Sequence, residues 1–259
     1  MSGFVTRRPP KFGSIKEERL HRKQRLAAGF RVLGRAGFGE GVAGHASVRD
    51  PAPALPGHYW VNAYGQSFRQ IKVSDLCLVD GNGTVVEGPN LDESLVAFAA
   101  LTIHGAVHEA RPDVVSAVHT HGLHGRTLAA LGTPLAPISQ DACAFYEDLG
   151  LLDDYTGVVL DTEEGKRLAH ALGGHKAVLL RNHGVVTVGH SVDEAMWWHL
   201  SFERCAQSQL MAEAAGQPHL IPHDAAVHTA TQVGSHRFGW FSFQPLFDWI
   251  VAEEPDLLD

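Results

Sequence analysis

Helical spacing of apolar residues marks five segments of the chain. The first follows a loose arm over residues 1–13, and Ser14 with Glu17 three positions later forms a capping-box pattern at its start. Ser191 and Glu194 repeat that pattern before the longest segment. The spacing predicts helices from Ser14 to Gly34 or Gly37 and over residues 94–110, 125–132, 163–172 and 191–216.

Shorter apolar runs between these helices predict β-strands. LCLVDGNGTVVEG is typical of a hairpin, because two apolar runs flank a turn at residues 80–83. The runs that predict the other strands are GVAGHASVRD, HYWVNAYG, DVVSAVHTHG, TGVVLD and KAVLLRNHGVVTVG, the last with a turn at residues 182–184. Residues 133–154 are expected to be irregular. The pattern indicates one α/β domain over residues 14–259, which ends in the aromatic segment GWFSFQPLFDWI.

Composition narrows the class of protein. The 259 residues are 44% hydrophobic and carry a net charge of −8, which argues against nucleic acid or an anionic membrane as partner. Cys77, Cys143 and Cys205 are widely separated and odd in number, so we expect buried thiols and no disulfide framework. No apolar stretch approaches the ~20 residues of a membrane span. We therefore expect a cytoplasmic protein with a small-molecule substrate.

Two histidines at the end of an apolar run are the main candidates for chemistry. His119 and His121 are separated by one residue, so in a strand both side chains point to the same side. Such a pair can also be two surface or hydrogen-bonded histidines. A catalytic metal site usually has three protein ligands and an open position, and His183, in a glycine-bearing turn after another apolar strand, is the best candidate for the third.

The sequence resembles the class II aldolase/adducin family from about Gly29 to about Gly216. The segments that carry the resemblance are GVAGHASVRDP, VNAYGQSFRQIKVSDLCLVD, IHGAVHEARPDVVSAVHTHG and AVLLRNHGVVTVG. The resemblance implies a three-layer α/β/α sandwich around a mainly antiparallel sheet. It also implies a divalent metal on His119, His121 and His183, usually zinc, with iron and manganese as alternatives. A homotetramer with active sites between subunits is implied as well.

The sequence departs from the sugar-phosphate aldolases of this family at three phosphate-handling positions. In the serine-rich loop, the two serines are gone and the glutamate that serves as acid/base is replaced by Ala100. The serine-glycine loop reads Tyr64-Gly65, and the asparagine of the first loop reads His45. We therefore expect a non-phosphorylated substrate and a different proton carrier.

Several residues are candidates for the vacant roles. The candidate proton carriers are Tyr146, Glu147, His124 and His45. The candidate substrate contacts are His45, Asn62, Gly65 and Gln140. His104 and His108 lie one helical turn apart. They could support the metal ligands from behind, or simply belong to a hydrogen-bonded helix face.

Three functions are compatible with these features. The first is a metal-dependent lyase, an aldolase or decarboxylase that stabilises the enolate of a hydroxy- or oxo-acid. The second is a non-haem iron oxygenase, since the aminocoumarin-pathway oxygenases look like the same family. The third is a non-catalytic module similar to the adducin head. It ranks last, because the adducin head lacks the metal ligands that this chain keeps.

Overall fold

The computed structural model describes residues 7–89, 96, 98–159 and 161–259. Within these ranges the helices are α1 Ile15–Arg35, α2 Phe98–Ala110, α3 Leu123–Leu131, α4 Thr162–Leu172, α5 Val192–Ala215, α6 His223–Val233 and α7 His236–Glu253. The strands are β1 His45–Arg49, β2 Tyr59–Val61, β3 Cys77–Val79, β4 Val85–Glu87, β5 Ser116–Thr120, β6 Leu149–Leu152, β7 Ala177–Leu180 and β8 Gly184–Gly189.

The strands form a single sheet in the order β4-β3-β2-β1-β5-β8-β7-β6. Every neighbouring pair is antiparallel except β6 and β7, which are parallel. The predicted hairpin is confirmed as β3 and β4. At the centre of the sheet β5 lies between β1 and β8, so the end of β5 is held on both sides by backbone hydrogen bonds.

Helices cover both faces of the sheet. Because side chains alternate along a strand, Val118 packs into a cluster with residues of α1, α5 and α7, whereas Ala117 packs with residues of α2 and α4 on the opposite face. The expected three-layer α/β/α sandwich around a mainly antiparallel sheet is confirmed. None of the helices in the described ranges is both long and apolar enough to span a bilayer.

The helix starts follow the capping patterns in the sequence. The hydroxyl of Ser14 accepts a hydrogen bond from the backbone N–H of Glu17, and the hydroxyl of Ser191 accepts one from Glu194, both at 3.2 Å. The three cysteines are free and buried, as expected.

The structure differs from the sequence prediction at two apolar segments. Residues 156–159 of TGVVLD form no strand, and residue 160 lies outside the described residues. A strand forms instead at Leu149–Leu152, within the segment expected to be irregular, because it pairs with the distant strand Ala177–Leu180. The helix that the sequence predicts from residue 94 begins at Phe98 in the described part of the chain. Residues 94, 95 and 97 of that prediction lie outside the described residues. Residues 1–6 of the predicted arm also lie outside them.

Candidate metal centre

The central strands bring the three predicted ligands together. His119 is the penultimate residue of β5, opposite His45 of β1 and Val186 of β8. His121 follows one residue beyond the end of β5, and His183 lies in the turn that joins β7 to β8. Two adjacent strand ends therefore deliver all three imidazoles to one edge of the sheet.

The three rings are close enough to share one cation. Their centroids are 5.1 Å apart for His119 and His121, 4.7 Å for His119 and His183, and 4.9 Å for His121 and His183. One ring nitrogen of each lies within 4.8 Å of the other two, and the Nε2 atoms of His121 and His183 are 3.0 Å apart. Three histidines with one open side match the donor set of catalytic zinc sites.

A backbone carbonyl fixes the orientation of His119. Its Nδ1 lies 3.0 Å from the carbonyl oxygen of Val185. A carbonyl only accepts hydrogen bonds, so Nδ1 carries the proton and Nε2 keeps its lone pair for a cation. Metal-bound histidines are commonly supported in this way from behind.

The local backbone explains why the turn can carry His183 so close to β5. Asn182 adopts φ of 55°, a left-handed conformation that asparagine tolerates better than most residues. A β-carbon on Gly184 would lie 2.9 Å from the carbonyl oxygen of Thr120. The glycine in the turn is therefore required for the close approach of the turn to the strand end.

Burial keeps the three imidazoles in their neutral, metal-binding form. Desolvation, reinforced by the neighbouring His183, holds the pKa of His119 well below its usual value. Desolvation followed by His121 lowers the pKa of His183 to about 4, and desolvation followed by Arg126 lowers the pKa of His121. Near neutral pH the cluster therefore offers three uncharged nitrogen donors.

Two cavities meet at the histidine cluster. The first has a volume of about 430 Å³, and no described residue in its lining carries a formal charge. Its described lining is Val42, Ala43, Gly44, His45, Tyr64, Val96, Ala99, Ile103, His119, His121, Val158, Val159 and His183. The second, of about 500 Å³, shares His121, Val158 and His183 with the first. Arg126 is the charged residue among its described lining.

Comparison with known proteins assigns the family. Residues 24–210 match the family model for the class II aldolase and adducin N-terminal domain. The chain belongs to the class II aldolase/adducin family. Its enzymes typically depend on a divalent metal ion, and the neutral three-histidine cluster is a donor set that suits one.

Relatives within this family carry different names. Decarboxylase NovR of Streptomyces niveus is 44% identical over 253 residues, which cover 97% of this chain and 92% of the relative. The 4-hydroxy-3-prenylphenylpyruvate oxygenase/4-hydroxy-3-prenylbenzoate synthase of Streptomyces roseochromogenus subsp. oscitans is also 44% identical, over 97% of this chain and 89% of the relative. Among solved structures, an L-fuculose 1-phosphate aldolase from Glaciozyma antarctica PI12 superimposes with a TM-score of 0.89 at 39% identity, over 97% and 96% of the two chains.

The positions predicted to differ from the sugar-phosphate aldolases lie at or next to the first cavity. Ala100 is buried in a cluster between α2 and the outer strands, and its neighbour Ala99 lines the first cavity. His45 and Tyr64 also line that cavity, and Gly65 follows Tyr64 with φ of 81°. The site thus has an apolar wall where those aldolases are expected to carry the acid/base glutamate.

The other predicted site residues lie outside the described lining of both cavities. Asn62 accepts a hydrogen bond from the N–H of Ala46 at 3.3 Å. The ring of His124 and its backbone N–H both contact the carboxylate of Glu203, at 3.0 and 2.8 Å. Tyr146, Glu147 and Gln140 are also absent from the described lining. Their roles stay predictions.

Sequence reasoning missed three residues that contribute to the site. Arg126 lies five residues after His121, in the first turns of α3, and lines the second cavity. A charged residue so close to an HxH pair is the sequence feature that could have predicted this position. Val158 and Val159 line the cavities although they were assigned to a strand. No local pattern distinguishes an apolar run that lines a cavity from one that forms a strand.

Proposed function

We propose that this protein is a divalent-metal-dependent lyase that breaks the carbon–carbon bond between the α-carbon of a carbonyl and the next carbon, in a non-phosphorylated oxo- or hydroxy-acid. The observation that carries the proposal is the neutral three-histidine cluster between an apolar cavity and a cavity with a single arginine. Breaking such a bond leaves an enolate. A divalent ion bound by His119, His121 and His183 would supply the positive charge that stabilises this enolate. Zinc is the metal that we propose.

The two cavities suggest how an acid substrate would lie. The guanidinium of Arg126 suits a carboxylate, which it can bind through two hydrogen bonds. The first cavity would take the apolar part of the substrate against Ala99, Ile103 and Val159. Its volume of about 430 Å³ lies within the usual range for small-molecule sites.

His45 is the strongest candidate for moving a proton in the isolated chain. It lines the first cavity, and its ring centroid is 5.0 Å from that of His119. Its Nδ1 is hydrogen-bonded inside the protein, and its Nε2 makes no hydrogen bond with the described residues. Tyr146 and Glu147 remain the candidates if a second subunit completes the site.

The names of the relatives support an acid substrate. One relative is named a decarboxylase, and the other is named for a phenylpyruvate, which is a 2-oxo acid with an apolar aromatic end. Both names refer to those proteins. By analogy we propose an aryl-bearing 2-oxo acid as the substrate class here, with a hydroxyl on the carbon β to the carbonyl, so that cleavage gives an enolate and an aryl aldehyde. We propose a homotetramer as the assembly.

The second relative also supports a non-haem iron oxygenase as the alternative function. Three imidazoles with open positions can bind ferrous iron as well as zinc. The two functions differ in whether oxygen is consumed when the bond is broken.

The test uses protein purified without oxygen and loaded separately with Zn²⁺, Mn²⁺ or Fe²⁺. Each form is given 4-hydroxy-2-oxo-4-phenylbutanoate for the lyase, which would release pyruvate and benzaldehyde, or 4-hydroxyphenylpyruvate for the oxygenase. Pyruvate, aldehyde, carbon dioxide and oxygen are measured. Metal-dependent cleavage without oxygen uptake supports the lyase. Iron-specific turnover with stoichiometric oxygen uptake supports the oxygenase. A protein that binds none of the metals would refute both, and light scattering reports the assembly separately.

A further inference from the structure

A continuous chain of hydrogen bonds connects four buried side chains between β1 and α2. His45 Nδ1 lies 2.8 Å from His104 Nε2, and His104 Nδ1 lies 2.9 Å from the hydroxyl of Ser47. The same hydroxyl lies 2.9 Å from His108 Nε2. Strand alternation places His45 and Ser47 on one face of β1, and the i, i+4 spacing places His104 and His108 on the facing side of α2.

The two ends of this chain reach different cavities. His45 lines the cavity of the histidine cluster, whereas His108 lines a separate cavity of about 560 Å³ with Tyr59, Glu109 and Lys166. Between the ends, Ser47 and His104 have no solvent exposure. The hydrogen bonds therefore cross a buried layer from the candidate active site to the second cavity.

The chemistry of the members suits proton transfer. Burial lowers the pKa of both His104 and His108 to about 3, so each ring is neutral near neutral pH. A neutral imidazole has one N–H and one lone pair, and a hydroxyl both donates and accepts, so the four groups can be aligned head to tail. The Nδ1 of His108 is buried and has no hydrogen-bond partner among the described residues.

We propose that His45, His104, Ser47 and His108 form a proton relay between the metal cavity and the second cavity. The proposal rests on the proposed function, because enolate formation is the step that moves a proton. His45 Nε2 takes a proton from the substrate while its Nδ1 proton passes to His104 Nε2. The Nδ1 proton of His104 passes to Ser47, and the hydroxyl proton of Ser47 passes to His108 Nε2. The Nδ1 proton of His108 passes to a water that must enter from the second cavity, because Nδ1 is buried although His108 lines that cavity. Four bonds to hydrogen break inside the relay and four form, so every member ends neutral.

Ser47→Ala tests the relay by removing a single oxygen atom from its middle. The assay is the exchange of the C3 protons of phenylpyruvate with D₂O, followed by NMR with the zinc-loaded protein. We expect the exchange rate constant to fall at least about tenfold, because removal of a group that transfers a proton typically has an effect of this size or larger. The apparent KM and the content of one metal ion per chain should not change. Tyr59→Phe is the control, because its ring packs 5.1 Å from that of His108 without belonging to the relay.

His108→Ala gives an independent test at the end far from the metal. Its loss should slow exchange similarly, and added imidazole should restore the rate by entering through the second cavity. Proton-detected NMR of the metal-free, ¹⁵N-histidine-labelled protein supplies a readout without turnover. The relay predicts Nδ1–H tautomers for His45, His104 and His108 and loss of the defined His104 tautomer in Ser47→Ala.

The outcomes separate the relay from the proposed function. Exchange in both variants within twofold of the unmodified protein would overturn the relay and leave the lyase standing. Slower exchange accompanied by loss of metal or a matching rise in KM would also overturn it, since the four residues would then only support the site. No metal-dependent exchange in the unmodified protein would overturn the relay and the enolate chemistry together.

Discussion

A β-carbon on Gly184 would lie 2.9 Å from the carbonyl oxygen of Thr120, closer than real β-carbons approach such atoms. The two residues adjoin the predicted ligands, since Thr120 separates His119 from His121 and Gly184 follows His183. The packing of this single pair therefore sets the distance between the HxH strand end and the turn that carries the third histidine.

Gly184→Ala should separate the turn from β5. Overpacking typically lowers the free energy of unfolding by about 1–3 kcal/mol. At this position the added methyl group would also displace the turn that carries His183 away from the other two histidines. We expect a lower melting temperature and weaker zinc binding, measured by calorimetry and titration. Gly174→Ala is the control, because a β-carbon there meets nothing within 4 Å. Equal zinc affinity in the two variants would contradict this account of the turn.

His121→Ala should lose the metal while the chain still folds. Groups that merely support ligands are worth about 10- to 100-fold in metal affinity, so loss of a ligand should cost more than about 100-fold. Elemental analysis reports the metal, and circular dichroism reports the fold. The exposed His219→Ala serves as the control. A full equivalent of metal in His121→Ala would remove this residue from the site.

Arg126→Gln should weaken binding of an acid substrate more than it slows its turnover. The guanidinium is exposed and lines the cavity that adjoins the histidine cluster. A solvent-exposed charge contributes less than a buried one, so we expect KM for phenylpyruvate to rise about tenfold. Arg126→Lys should recover part of the loss, and Arg204→Gln should have no effect. An unchanged KM in Arg126→Gln would place the carboxylate elsewhere.

Dihydroxyacetone phosphate should not be a substrate. Ala100 occupies the expected position of the aldolase acid/base, and Tyr64 replaces a serine of the phosphate loop. Ala100 is also 1% exposed and held in an apolar cluster, so no acid/base group can act from that position. A coupled assay with zinc-loaded protein measures this directly. Efficient condensation with an aldehyde would show that other residues bind the phosphate.

The metal-free protein should lose stability as the pH falls from about 6.5 towards 4. His199 is buried against Thr120 and Thr187, and desolvation lowers its pKa to about 3. Below about pH 6.5 the histidine of the unfolded chain binds a proton, whereas the buried histidine of the folded chain stays neutral. Protonation therefore favours the unfolded chain, so the free energy of unfolding is retained above that pH and falls below it. The loss is about 1.4 kcal/mol per pH unit for each such histidine.

His199→Gln tests the sign and the size of this effect. The variant should reduce the slope of unfolding free energy against pH by about 1.4 kcal/mol per pH unit between pH 4 and 6, measured by denaturation in urea. His219→Ala, which removes an exposed histidine, should leave the slope unchanged. A slope that is identical in all three proteins would show that His199 is protonated in the folded state.

Local sequence patterns predicted the parts of the site that depend on one segment of chain. The period of two along a strand put His119 and His121 on one side, and the glycine-bearing turn marked His183. The helix starts at Ser14 and Ser191 were also predictable, because each serine hydroxyl accepts a hydrogen bond from the backbone N–H three residues later. Each of these features is decided by dihedral angles and neighbours within a few residues.

Tertiary structure alone decided which distant segments meet. The spacing of His104 and His108 was visible in the sequence, but their hydrogen bonds to His45 and Ser47 span 57 to 61 positions. Likewise β6 forms beside the distant strand β7, and Val159 lines a cavity and belongs to none of the described strands. Backbone geometry sets local periodicity, whereas contacts between segments depend on how whole layers pack, and packing is a property of the assembled core.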